Sequence, residues 1–173
     1  MRKKVSFLFL ALFVVMMSIT GCGGGPANLV NTAVQLLAGD VTGEIGKTYA
    51  TDWFRFTIHS IEEVDSYAGH TPADDWILYD VVITETNIFD ESIPMGTFDF
   101  YMDDPSFEEF IWAMEPLDGS MMPESFDLEP GDTVQYHMVF EIPAEVTDLV
   151  LMYTEIDERE TEGRTFTIHI DRD

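Results

Sequence analysis

The chain is short of positive charge and nearly free of cysteine. Its 173 residues hold 8 Lys plus Arg against 33 Asp plus Glu, a formal charge of -25, and a single Cys. So few cations exclude a nucleic-acid binder, because affinity for phosphates comes from neutralising them with Lys and Arg and releasing counterions. Peripheral docking on anionic headgroups is disfavoured for the same reason. One Cys excludes an intrachain disulfide. No apolar run reaches the roughly 20 residues of a permanent membrane span: the longest, Val5 to Ile19, is interrupted by Ser6 and Ser18. What the chain does have is 46% apolar and 13% aromatic residues. That is too many core-formers for an acidic disordered tail, and it predicts one folded domain with a heavily charged exterior.

Arg2, Lys3 and Lys4 precede that apolar run, and small residues follow it. A basic start, a short apolar stretch and a small-residue end make a secretory signal peptide, here a cleaved N-terminal signal helix over residues 1–21. The run closes in Ile19-Thr20-Gly21-Cys22, which resembles the lipobox of bacterial lipoproteins. The resemblance implies cleavage before Cys22 and a diacylglycerol on its thiol. A lone cysteine is otherwise often just a buried apolar residue, but this one directly follows the signal segment, and no chemistry elsewhere in the chain asks for a thiol. Acyl chains contribute about 0.8 kcal/mol per buried methylene, so the lipid alone suffices to hold the domain on a cell membrane, facing the extracytoplasmic side. Cleavage would also remove three cations and no acid, leaving the mature chain more acidic still. Gly23, not Asp, follows the cysteine; in a two-membrane organism the lipoprotein sorting rule then favours the outer membrane.

Residues 22–43 read as the lipidated Cys, a Gly-rich tether and a short helix between Ala27 and Ala38, where Leu29, Val30, Ala33, Val34, Leu36 and Leu37 have helical spacing. Residues 44–173 read as the domain. Trp53 to Ile61 alternates, with Phe54, Phe56 and Ile58 on one face, as a half-buried strand does. Trp76 to Thr86 places Ile77, Tyr79, Val81 and Ile83 together as a central strand, and Gly96 to Met102 pairs Phe98 with Phe100. Glu129-Pro130-Gly131-Asp132 suits a type II turn. Strands over Thr133 to Ile142, Asp148 to Glu155 and Thr165 to Ile170 follow. Six to eight strands without alternating helices predict an all-β, antiparallel sandwich. Between Ser106 and Phe126, the spacing of Phe107, Phe110, Ile111 and Met114 predicts a helical turn. Met114, Met121 and Met122 fit either an adaptable binding surface or filling between sheets, the latter being favoured.

Several landmarks then line up. They are Gly46-Lys47-Thr48 before Trp53 to Ile58, the Tyr79 to Thr84 strand ending near Asn87, and Leu128 to Val134 followed by Val139-Phe140-Glu141-Ile142-Pro143. Across residues 44 to 170 the chain resembles a group of bacterial secreted and lipid-anchored domains of unknown function, similar in fold to a mycobacterial secreted immunogenic protein. The resemblance implies an immunoglobulin-like β-sandwich and an envelope location, and brings no catalytic residues. The chain departs from the group in its methionine-rich, acidic central loop.

No catalytic motif stands out. A nucleophile elbow G-x-S-x-G is absent, Gly43 to Thr48 is two residues too tight for a phosphate loop, and no H-E-x-x-H zinc motif occurs. His59, His137 and His169 lie in predicted strands, where packing or surface roles predominate. Paired carboxylates such as Asp74-Asp75 and Asp90-Glu91 lack the substrate cleft that glycoside hydrolysis needs. No cofactor is required; calcium is the one cation worth weighing, since it takes six to eight oxygens. Its candidate ligands are Asp99, Asp103, Asp104 and Glu108, with Asp157, Glu158, Glu160 and Glu162 a second acidic loop. Neither follows the spaced D-x-D-x-D-G pattern, and solvated loops explain both. The expected function is therefore non-enzymatic: a lipid-anchored envelope protein that binds another envelope or extracellular protein, with a calcium-binding adhesion or sensor module as the alternative.

Overall fold

The computed structural model describes residues 39–105, 109–156 and 162–170. The signal segment, Cys22, the tether helix, Glu108 and the acidic residues 157, 158 and 160 lie outside the described residues. Eleven strands run through the described part: β1 Val41–Gly43, β2 Thr48–Ala50, β3 Phe54–Val64, β4 Trp76–Asn87, β5 Ile93–Met95, β6 Phe100–Asp103, β7 Ile111–Trp112, β8 Phe126–Leu128, β9 Thr133–Pro143, β10 Val150–Ile156 and β11 Glu162–His169. One sheet has the order β1-β11-β10-β6-β7, the second β2-β3-β4-β9, and β5 pairs with β8 in a short third sheet. The all-β sandwich expected from the alternation is what forms. Its pairs are antiparallel except β1, which runs parallel to β11 with Val41 opposite Phe166. The sheet thus takes in Val41–Gly43, ahead of residue 44.

Strands β3, β4 and β9 are long because their inner faces are apolar at every second position. Phe54, Phe56 and Ile58, then Tyr79, Val81 and Ile83, then Met138, Phe140 and Ile142 all point inward and are buried. They meet Phe100, Met102, Leu151, Tyr153, Phe166 and Ile168 of the facing sheet. Phe56 stacks edge-on against Phe100 and Phe166, both with centroids 5.4 Å away, and Phe54 meets Tyr153 at 5.2 Å. Edge-to-face pairs of this kind suit the ring quadrupole, and each fully buried large side chain contributes about 1.5–3 kcal/mol. At Glu129 to Asp132 the expected turn forms: Gly131 has φ +81°, and Asp132 N–H donates to the Glu129 carbonyl at 3.0 Å.

Two expectations are corrected. Residues 111–112 form an edge strand on β6, with Tyr101 opposite Trp112, rather than part of a helical turn; two residues of a strand satisfy helical spacing as well as strand spacing. Phe98 and Phe100 do not share a face, since Phe100 is buried while Phe98 is 59% exposed. The chain turns between Gly96 and Asp99, so the strand alternation begins only at Phe100. The methionines act as filling: Met121 and Met122 are buried, and Met121 packs with Leu78 and Val139 on the outer side of β4 and β9.

Candidate functional site

Asn87, the last residue of β4, is buried and organises the connection that follows. Its amide nitrogen donates to the Glu91 carbonyl at 2.9 Å and the Leu128 carbonyl at 2.7 Å, and its oxygen accepts from Phe89 N–H at 2.8 Å. That holds residues 88–92 in one conformation over the end of the sandwich. Further on, Asp99 Oδ2 accepts from Gly96 N–H at 2.6 Å and Asp99 N–H donates to the Gly96 carbonyl at 3.1 Å, closing a tight turn. A Cβ at Gly96 would sit inside the van der Waals radius of the Glu124 carbonyl oxygen, so only glycine fits.

This connection forms one wall of a groove of about 740 Å³. The other walls come from the β6–β7 edge, the end of β10 and the start of β11. Phe98, Phe110 and Trp112 stand exposed by 59%, 51% and 43% beside half-buried Tyr101. Ring centroids lie 4.5 Å apart for Tyr101 and Phe110, 5.4 Å for Tyr101 and Trp112, and 5.9 Å for Phe98 and Trp112. Aromatic side chains in that number at one surface leave a large apolar area in water, which makes this groove the candidate site. Trp53 and Phe89 complete the apolar rim, and Asp99 and Tyr153 line the groove beneath it. Tyr101 Oη, Thr154 Oγ1 and Thr165 Oγ1 form a hydroxyl chain at 2.9 and 3.2 Å along one side.

Behind Asp99 and Tyr153 lies Glu85. It occupies the inner face of β4, in the row of Tyr79, Val81 and Ile83, and is wholly buried; neither carboxylate oxygen has a hydrogen-bond partner. Burial, reinforced by the Asp99 carboxylate, pushes its pKa up to about 8. Burial also lifts Asp99 to about 6, against the opposing Gly96 N–H bond, and raises the Tyr153 hydroxyl above its ordinary range. The alternation of β4 carried two residues past Ile83 was the signal for Glu85. The aromatic cluster had no such signal, because it is assembled from β6, β7 and two loops.

Of the four carboxylates weighed for calcium, Asp99, Asp103 and Asp104 are described, and Glu108 lies outside the described residues. Asp99 lies in the turn before β6 and Asp103 is the last residue of that strand. Asp104 is buried, with Oδ2 accepting from Asp148 N–H at 2.9 Å. Among the described residues no three carboxylate, histidine or cysteine side chains converge as a metal site requires. His59, His137 and His169 lie on strands, and His70, in the loop before β4, meets Glu141 Oε2 at 3.0 Å. His59 Nε2 meets Thr84 Oγ1 at 2.8 Å, His137 Nδ1 meets Asp80 Oδ1 at 2.8 Å, and His169 is exposed.

The sequence matches no family model and no curated protein. Solved structures do match in shape. MPT63, a secreted protein of Mycobacterium tuberculosis, is 9% identical with a TM-score of 0.54, over 75% of this chain and 98% of its own. The yjhA protein of Bacillus subtilis is 14% identical with a TM-score of 0.53, over 74% and 98%. A candidate lipoprotein of the same organism, ycdA, is 16% identical with a TM-score of 0.52 over 70% of this chain; the match spans only 38% of the ycdA chain. At these identities the likeness is one of fold, and it agrees with the immunoglobulin-like sandwich implied by the sequence landmarks.

Proposed function

We propose that the chain is a lipid-anchored extracytoplasmic protein whose sandwich is a non-enzymatic binding module, with the aromatic groove as its binding face. The observation that carries the binding part is the exposure of Phe98, Phe110 and Trp112 around a groove of about 740 Å³, a volume within the range of small-molecule sites. The anchoring part rests on Cys22 directly after the signal segment, and is supported by the secreted and lipoprotein descriptions of MPT63 and ycdA.

Each part has its own test. Cys22→Ser in the full chain is expected to move the protein from the membrane fraction to the soluble extracytoplasmic fraction; unchanged fractionation contradicts the anchor. For the groove, a fragment screen followed by NMR on the full-length protein is expected to perturb Trp112, Phe110 and Phe98. Perturbations confined to other surfaces contradict the binding face.

A further inference from the structure

Among the described residues, the charged side chains lining the groove are of one sign. Glu91, Asp99 and Glu162 contribute carboxylates, and neither Lys nor Arg is among the described lining residues. An anionic ligand would meet repulsion there, and a purely apolar one would cover Asp99 without offering it a donor, which is costly for a polar group leaving water. Beneath the floor, Glu85 adds a second carboxyl whose two oxygens have no donor. It lies near enough for its charge to bear on Tyr153 and for the charge of Asp99 to bear on it. The exposed rings present faces whose π electrons attract cations.

From this charge complementarity we propose that the groove binds a small organic amine in its protonated form, the apolar body resting on Phe98, Phe110 and Trp112 and the ammonium donating to Asp99. The inference rests on the groove being the binding face. Each part of such a ligand finds what it requires: rings for the body, an acceptor for the N–H groups, and the negative charge of the lining carboxylates Glu91, Asp99 and Glu162. The volume suits an arylalkylamine rather than a bare ammonium ion.

The test is titration of the full-length protein with 4-phenylbutylamine and with 4-phenylbutan-1-ol, which has the same body without the charge, followed by tryptophan fluorescence and calorimetry. The amine is expected to bind about tenfold more tightly than the alcohol, from combined ion-pair and cation–π terms. Asp99→Asn is expected to erase that preference, bringing the amine's affinity down to that of the alcohol. Should Asp99→Asn disturb the Gly96 turn, Trp112→Ala, whose side chain is exposed, serves as the second variant and should weaken both ligands. Equal affinities for amine and alcohol overturn the inference but leave the groove as a binding face. Binding of neither, with no fragment bound at the groove, overturns both readings. A lysine-containing tripeptide that binds more tightly than the amine overturns the small-molecule assignment in favour of a peptide.

Discussion

Glu85 is the residue with most influence on how stability depends on pH. Its pKa of about 8 in the fold stands above the ordinary 4.5, so folding takes up a proton wherever the pH lies between those values. Below 4.5 the carboxyl is protonated in both states and adds no pH dependence. As pH rises through this window the folded state loses ground, by about 3 kcal/mol at pH 7, and the loss levels off above 8. Asp99, lifted from 3.8 to about 6, acts in the same direction over a lower window. Glu85→Gln is therefore expected to flatten the decline in urea-unfolding stability between pH 5 and pH 8, leaving only the Asp99 part. Parallel curves for variant and parent would count against the assignment. At this scale much was legible in the sequence. Phe54, Phe56, Ile58, Tyr79, Val81 and Ile83 follow from alternation alone, because burial on one face requires it. Phe98 did not, since a side chain capping its own turn, as Asp99 does for Gly96, resets the alternation without a change in composition.

Among the elements, the β10–β11 hairpin and the β2–β3 turn are tied together across the two sheets. Glu155 on β10 is buried and receives Arg164 of β11 in a two-pronged contact, Nη2 to Oε1 at 2.7 Å and Nε to Oε2 at 2.9 Å. The same carboxylate accepts from Asp52 N–H at 3.1 Å, Arg164 Nη2 reaches the Ala50 carbonyl at 3.4 Å, and the guanidinium lies 5.3 Å over the Phe166 ring. A buried pair of this type is costly to break from one side, because the surviving charge is stranded. Glu155→Ala is expected to lower unfolding stability by about 3 kcal/mol or more, and Glu155→Leu with Arg164→Met by less than either single change. A double variant whose loss equals the sum of the singles would show that the two side chains do not act as a unit. Long strands were readable beforehand, whereas β1, β2, β5, β7 and β8, of two or three residues each, were not. So few positions carry no period, and their pairing is decided by the neighbours that tertiary structure brings alongside.

At the scale of the whole molecule, the charge of -25 repels itself in the compact state. Raising NaCl from about 0.02 to about 0.3 M, which shortens the screening length roughly fourfold, is expected to raise the melting temperature. Calcium and magnesium at equal ionic strength are expected to raise it equally. An increment specific to calcium would instead reveal a site that the described residues do not assemble. The fold was legible at this scale from strand count, turn signals and the absence of alternating helices. The groove was not, because its lining converges from stretches of sequence far apart.

The parallel pairing of β1 with β11 has a mechanical consequence. β1 is the first described strand and β11 the last. A pull applied through an N-terminal anchor and resisted at the far end of β11 runs along the shared ladder, loading its hydrogen bonds in shear so that they share the force. An antiparallel pair pulled from adjacent ends would open one bond at a time. Were the chain held by its leading end, as the proposed anchor would hold it, the sandwich would meet traction along the grain of its sheet.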